Sequence, residues 1–125
     1  MVQILVIDDE EPIRKLLARI IELEGYKVST ASCCNDALQQ LRKQQYDVIL
    51  CDVFLPDGNG VDFIFEIKKY SSDAAIILLT AHGNIEDGVQ AIKNGAFDYI
   101  TKGDDNRKII PTINRAVDET EKNER

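Results

Sequence analysis

Short, wholly apolar runs alternate along the chain with stretches whose apolar residues recur every three or four positions. Ile4-Leu5-Val6-Ile7 is a run of the first kind and predicts a strand. Pro12 then opens a helix, in which Ile13, Leu16, Leu17, Ile20 and Ile21 form one stripe and Gly25 marks the end. Lys27 to Ala31 is β-branched and predicts a second strand. Ala37, Leu38 and Leu41 mark a second helix, with Asn35 expected as its cap. Val48 to Cys51 is the third strand, and Pro56-Asp57-Gly58-Asn59-Gly60 is turn chemistry. Val61, Ile64, Phe65 and Tyr70 outline a third helix, and Ile76-Ile77-Leu78-Leu79 a fully apolar fourth strand. Ile85, Val89 and Ile92 give a fourth helix, ended by Asn94-Gly95. Tyr99-Ile100-Thr101 is a short fifth strand. Ile109, Ile110, Ile113, Ala116 and Val117 stripe a last helix, which must begin close to Pro111.

The pattern is five βα units in succession, with strands that read as continuous apolar runs. That is the mark of a parallel sheet covered on both faces, an α/β fold. Length and composition agree. The chain has 125 residues, 44% hydrophobic and 30% charged, which suits one globular domain. Beyond Asp118 no apolar residue follows, so 119–125 reads as a frayed helix end or the start of a linker. The net charge of −7 argues against direct nucleic-acid binding. No run approaches a membrane span, and the N-terminus lacks signal-peptide features, so a cytoplasmic location is expected. Three cysteines without a C-x-x-C pair read as free thiols, Cys51 buried among its apolar neighbours.

In an open α/β sheet the functional residues gather at the carboxyl ends of the strands. Asp8-Asp9-Glu10 follows the first strand, Asp52 the third, Thr80 the fourth and Lys102 the fifth. Asp8, Asp9 and Asp52 would repel one another on a single rim, and a divalent cation removes that conflict. The donors are hard oxygens, without His or Cys, which selects magnesium, or manganese, over zinc. A carboxylate beside such a metal and a lysine can attack a phosphoryl group and become an aspartyl phosphate. Lys102 would neutralise the group in transfer and the Thr80 hydroxyl would hydrogen-bond one of its oxygens.

These residues, together with Leu5-Val6-Ile7-Asp8-Asp9-Glu10, Asp52-Val53-Phe54-Leu55-Pro56-Asp57-Gly58-Asn59-Gly60, Thr80-Ala81 and Lys102, resemble the receiver domain of two-component response regulators. The resemblance implies a flavodoxin-like, doubly wound (βα)5 fold with strand order 2-1-3-4-5, and a receiver over residues 1–118. It implies Asp52 as phosphoacceptor, fed by a sensor histidine kinase or a phosphotransfer protein. Asp9 would ligate the metal directly, Asp8 directly or through water, and the main-chain carbonyl of Phe54 would be a further ligand. Thr80 and Lys102 match the phosphate-sensing hydroxyl and lysine, and Tyr99 the aromatic switch. The chain would not be an enzyme in the usual sense, although it would catalyse its own phosphorylation from phosphodonors and a slow autodephosphorylation. The expected output is a changed surface on the fourth helix, fifth strand and fifth helix, with phosphorylation-linked homodimerisation. Thr80-Ala81-His82 and Gly95-Ala96-Phe97-Asp98-Tyr99 further resemble receivers of sigma-54-dependent, enhancer-binding transcription activators, which carry effector domains beyond the receiver.

The family usually has Lys-Pro with a cis bond after the last strand. Here the pair is Lys102-Gly103, for which a trans bond and an altered loop are expected. Phe54 places a bulky side chain two residues past the phosphoacceptor, where it would slow the approach of water. His82, the one histidine, reads as an exposed loop residue. A haloacid-dehalogenase-type phosphatase would need an Asp in place of Phe54, and a flavin-binding module a hydroxyl- and glycine-rich first loop in place of Asp8-Asp9-Glu10. A stand-alone receiver and a pseudo-receiver that is never phosphorylated are the remaining alternatives.

Overall fold

The computed structural model describes residues 1–81, 85–101 and 106–123, and the side chains of all of these except Ile85, Asn106, Lys122 and Asn123. Five parallel strands form the sheet: β1 (Gln3–Ile7), β2 (Lys27–Ala31), β3 (Val48–Asp52), β6 (Ala75–Thr80) and β7 (Asp98–Thr101). Their order is β2-β1-β3-β6-β7, the expected 2-1-3-4-5 once a two-residue hairpin, β4 (Phe54–Leu55) and β5 (Gly58–Asn59), is counted in chain order. The helices are α1 (Glu11–Leu23), α2 (Cys34–Lys43), α3 (Gly60–Tyr70), α4 (Ile85–Lys93) and α5 (Ile109–Asn123), the last preceded by a 3-10 turn at Asn106–Lys108.

Alternation along the strands divides the core in two. Ile4, Val6, Val48, Leu50, Ile77 and Leu79 face α1 and α5, where they meet Leu17, Ile21, Ile109, Ile113 and Val117. Leu5, Ile7, Ile49, Cys51, Ile76 and Leu78 face the other layer, with Ala37, Leu41, Ile64, Ile67 and Ala91 of α2, α3 and α4. The central strands β1, β3 and β6 are therefore apolar on both sides, as the sequence pattern requires. Gly25 (φ +94°) and Gly95 (φ +113°) end α1 and α4 in the left-handed region, where a side chain would be strained.

Several local expectations need correction. Asn35 is not the cap of α2. That helix starts at Cys34, and the Sγ of Cys33 accepts from the Asp36 N–H at 3.5 Å. Asn35 is instead inside the first turn, where its N–H donates to Asp57 Oδ2. In α3, Phe65 is 54% exposed, while Phe63 and Ile67 join Val61 and Ile64 in the core. In α4 the larger apolar residues face outward, Val89 at 48% and Ile92 at 49% exposure, and Ala91 is buried. The small face of α4 allows close approach to β7: a Cβ on Gly88 would lie 3.2 Å from the Tyr99 ring. Apart from these corrections, α5 runs through Asp118 to Asn123, which leaves both readings of 119–125 open, and the Thr120 hydroxyl is buried and donates to the Val117 carbonyl.

Candidate functional site

Parallel pairing puts the first two acidic strand ends side by side. Ile7 pairs with Cys51, so Asp8 and Asp52 each follow the paired positions by one residue. Asp8 is fully buried, and hydrogen bonds hold both its backbone and its side chain. Its N–H donates to the Ala31 carbonyl at 3.0 Å, and its own carbonyl accepts from the Arg14 guanidinium at 2.8 Å. Its Oδ1 accepts the Glu10 N–H at 2.9 Å, an Asx turn that leaves Asp9 and Glu10 exposed above it. Asp52 is 3% exposed, and the Phe54 N–H approaches its Oδ1 at 3.4 Å.

The result is a cluster in which Asp8, Asp9, Glu10 and Asp52 each offer a carboxylate oxygen, all within 4.8 Å of one another. At that separation each charged pair repels by about 1 kcal/mol in bulk water and about 3 kcal/mol near a protein surface. Exposed acidic groups often gather without a metal, but here two of the four are buried. All the donors are hard oxygens, which fits a Mg2+- or Ca2+-class ion. The neighbouring thiol takes no part. The Cys51 S–H donates to the Asp52 carbonyl, and complete burial pushes its pKa well up, so it stays protonated.

Thr80 ends β6 next to Asp52's strand and is 1% exposed. Tyr99, on β7, is half-buried, with its ring against Gly88 of α4 and the core layer of α2, α3 and α4. Phe54 begins the β4–β5 hairpin with its side chain 59% exposed, so its bulk stands in solvent at the rim. Lys102, Gly103 and His82 lie outside the described residues, and so does the geometry of the Lys102–Gly103 bond. The structure thus brings Asp8, Asp9 and Asp52 together and sets Thr80 and Phe54 on the same end of the sheet.

Sequence reading did not include Glu10 among the cluster's ligands, although its adjacency to Asp9 was the available signal. It also did not anticipate Asp57. The Asp57 carboxylate accepts from the backbone N–H groups of Cys34 at 2.8 Å and Asn35 at 2.9 Å, which hold its pKa below the ordinary 3.8. Nothing in the spacing of a turn aspartate pairs it with a helix 22 residues away. Burial, and then Asp57, push the Cys34 thiol up to about 12.

Similar proteins place this geometry in context. A model of the response regulator receiver domain matches residues 4–114. The phosphate regulon transcriptional regulatory protein PhoB of Escherichia coli K12 is 37% identical over 113 residues, 89% of this chain and 49% of that protein. The transcriptional regulatory protein ZraR of the same organism is 33% identical over 119 residues, 95% of this chain and 27% of that protein. The chain therefore spans about half or less of the curated relatives it matches. Among solved structures, the beryllofluoride-activated NtrC4 receiver domain dimer superposes with a TM-score of 0.90 at 39% identity, covering 96% of this chain and 99% of that one. A Burkholderia pseudomallei response regulator with a phosphorylated aspartic acid and a calcium ion gives 0.85 at 31% identity, covering 99% and 73%. TrrA of Thermotoga maritima, solved with Mg2+ and a beryllium fluoride, gives 0.82 at 32% identity, covering 93% and 99%. With the sheet order, the clustered strand-end carboxylates and a family match over most of its length in agreement, this chain belongs to the receiver domain family of two-component response regulators.

Proposed function

We propose that this receiver is a phosphorylation switch whose phosphoacceptor is Asp52. The observation that carries the reading is the convergence of Asp8, Asp9, Glu10 and Asp52 at the carboxyl ends of β1 and β3. Asp8 and Asp9, with Asp52 and the Phe54 carbonyl, hold a Mg2+ ion, with Mn2+ as a substitute. The metal, when bound, neutralises the carboxylates and the incoming phosphoryl oxygens. An Asp52 carboxylate oxygen attacks the phosphorus of a kinase or phosphotransfer-protein phosphohistidine. The P–N bond breaks as the P–O bond forms, and the imidazole leaves with a proton. With acetyl phosphate the bond broken is the P–O bond to the acetyl group and acetate leaves; water then slowly hydrolyses the aspartyl phosphate, releasing inorganic phosphate and the free carboxylate.

Lys102 pairs with the phosphoryl group, and the Thr80 hydroxyl is drawn to it. Tyr99 then turns inward, which alters the face made by α4, β7 and α5. The half-exposed Val89 and Ile92 of α4 support this as an interaction surface. Phosphate acts by biasing two pre-existing conformations. The output is a homodimer that regulates a transcription-activator domain of the sigma-54-dependent type in the cytoplasm, with no membrane contact and no nucleic acid bound by the receiver itself. The dimeric NtrC4 receiver supports the homodimer, and the likeness to the transcriptional regulatory proteins ZraR and PhoB supports a transcriptional output. The receiver spans 1–118, and 119–125 lead out of it as a charged tail or linker that begins as helix.

The test is an intact mass spectrum after incubation with acetyl phosphate, with and without Mg2+. The expected result is a Mg2+-dependent gain of one phosphoryl group that Asp52→Ala abolishes. Retention of the label in that variant at the same stoichiometry would place the acceptor elsewhere.

A further inference from the structure

We infer that Asp57 is a positioning residue for the phosphoryl site, clasping the β4–β5 hairpin to the N-terminus of α2 so that the Phe54 main chain stays beside Asp52. The inference rests on the site reading above. Asp57 occupies the hairpin's turn, and its two oxygens take the Cys34 and Asn35 N–H groups at 2.8 and 2.9 Å. The helix has a weak cap of its own, the thiol of Cys33 at 3.5 Å from the Asp36 nitrogen. The aspartate therefore brings the strong anionic partner that the exposed N–H groups of the first turn attract. The fit is close, since a Cβ on Gly58 would lie 3.1 Å from the Cys34 sulfur.

The hairpin's other end is tied at the site. The Val53 N–H donates to the Leu79 carbonyl at 2.8 Å, and the Gly60 N–H to the Val53 carbonyl at 2.7 Å. Between these ties burial contributes little. Phe54, Pro56, Gly58 and Asn59 are exposed, and only Leu55 packs partly on the core. Polar bonds therefore set the hairpin's position, and Asp57 makes the distal pair. Released there, the hairpin would swing about Val53, and the Phe54 main chain would lose its fixed relation to the carboxylates.

The experiment compares wild type, Asp57→Ala, Asp57→Asn and the double variant Cys33→Ser/Asp57→Ala. Mg2+ affinity is read by calorimetric titration and stability by urea unfolding. Serine at 33 gives α2 a good cap of its own without restoring the tie. The expected result is about a tenfold loss of Mg2+ affinity in Asp57→Ala, as for partners that orient metal ligands. Asp57→Asn, which keeps one acceptor oxygen, should fall between it and wild type. The double variant should regain stability while its Mg2+ affinity stays weak. Affinity within twofold of wild type in Asp57→Ala, or affinity that returns with stability in the double variant, would make Asp57 a helix cap only. If Asp57→Ala does not fold, the Asn and double variants decide by the same criteria. Wild type that binds no Mg2+ would overturn the site reading and this inference with it. Wild type that binds Mg2+ alongside unaffected variants would overturn the inference alone.

Discussion

Gly60 sits where β3, which ends in Asp52, meets the hairpin. A Cβ there would run into the main-chain carbonyl of Asp52 and lie 3.1 Å from a Leu78 methyl. Backbone cannot give way as a flexible side chain can, so Gly60→Ala must move either the start of α3 or the end of β3. We expect a loss of about 1–3 kcal/mol in urea unfolding, the usual range for overpacking. Phosphorylation by acetyl phosphate should slow as well, because the displaced atoms adjoin Asp52. Full activity at wild-type stability would show that the helix start absorbs the methyl without disturbing the site. The glycine was legible in the sequence only as part of a turn; the reason for it lies in a contact across eight residues.

The elements divide according to what each face meets. Ile113 of α5 is fully buried in the core layer that α5 shares with α1, and Ile113→Ala should cost about 2–5 kcal/mol in urea unfolding. Val89 on α4 is half exposed, and Val89→Ala should change stability by less than about 0.5 kcal/mol. A large loss at Val89 would mean that α4 packs with its apolar stripe inward, as periodicity alone suggests. The clasp on α2 adds a pH dependence of known sign. The bonds to Cys34 and Asn35 lower the Asp57 pKa from 3.8, so the ionised form favours the folded state. Its contribution is complete above the ordinary carboxylate range and fades as pH falls through the lowered value. The stability gap between wild type and Asp57→Ala should therefore be full at neutral pH and close in strong acid. A gap that persists unchanged there would assign the effect to something other than the charge.

For the molecule as a whole, the carboxylate cluster sets binding against folding. Four acidic groups within 4.8 Å add local repulsion to a chain already at −7. Asp9 is the exposed member of the expected ligand pair. Asp9→Asn should stabilise the metal-free protein by about 0.5–1 kcal/mol, as relief of strain at a functional site commonly does. The same variant should lose most of the rise in unfolding midpoint that Mg2+ gives wild type, since ligand binding to the native state adds stability by mass action. An unchanged Mg2+ effect would remove Asp9 from the ligand set.

Periodicity determined the α/β class, the five parallel strands and the strand-end positions of Asp8, Asp9, Asp52 and Thr80. For the central strands it could do so because burial on both faces leaves β1, β3 and β6 almost no polar position until their ends, while β2 showed by its β-branched residues. Resemblance to receivers added the strand order, and the sheet has it. The rotation of α4 was beyond the pattern: Gly88 faces the Tyr99 ring, which needs its small size, Ala91 is buried, and Val89 and Ile92 are left half exposed. The cap of α2 was beyond it too. A helix N-terminus can be satisfied by any acceptor that the fold brings near, and here that acceptor is Asp57, from a hairpin too short to show as alternation. Local sequence therefore decided which segments became strands and helices and where the charges fell. Tertiary packing decided which helix face turned inward and which distant backbone the turn aspartate holds, because both depend on the shape of a neighbour that local sequence does not encode.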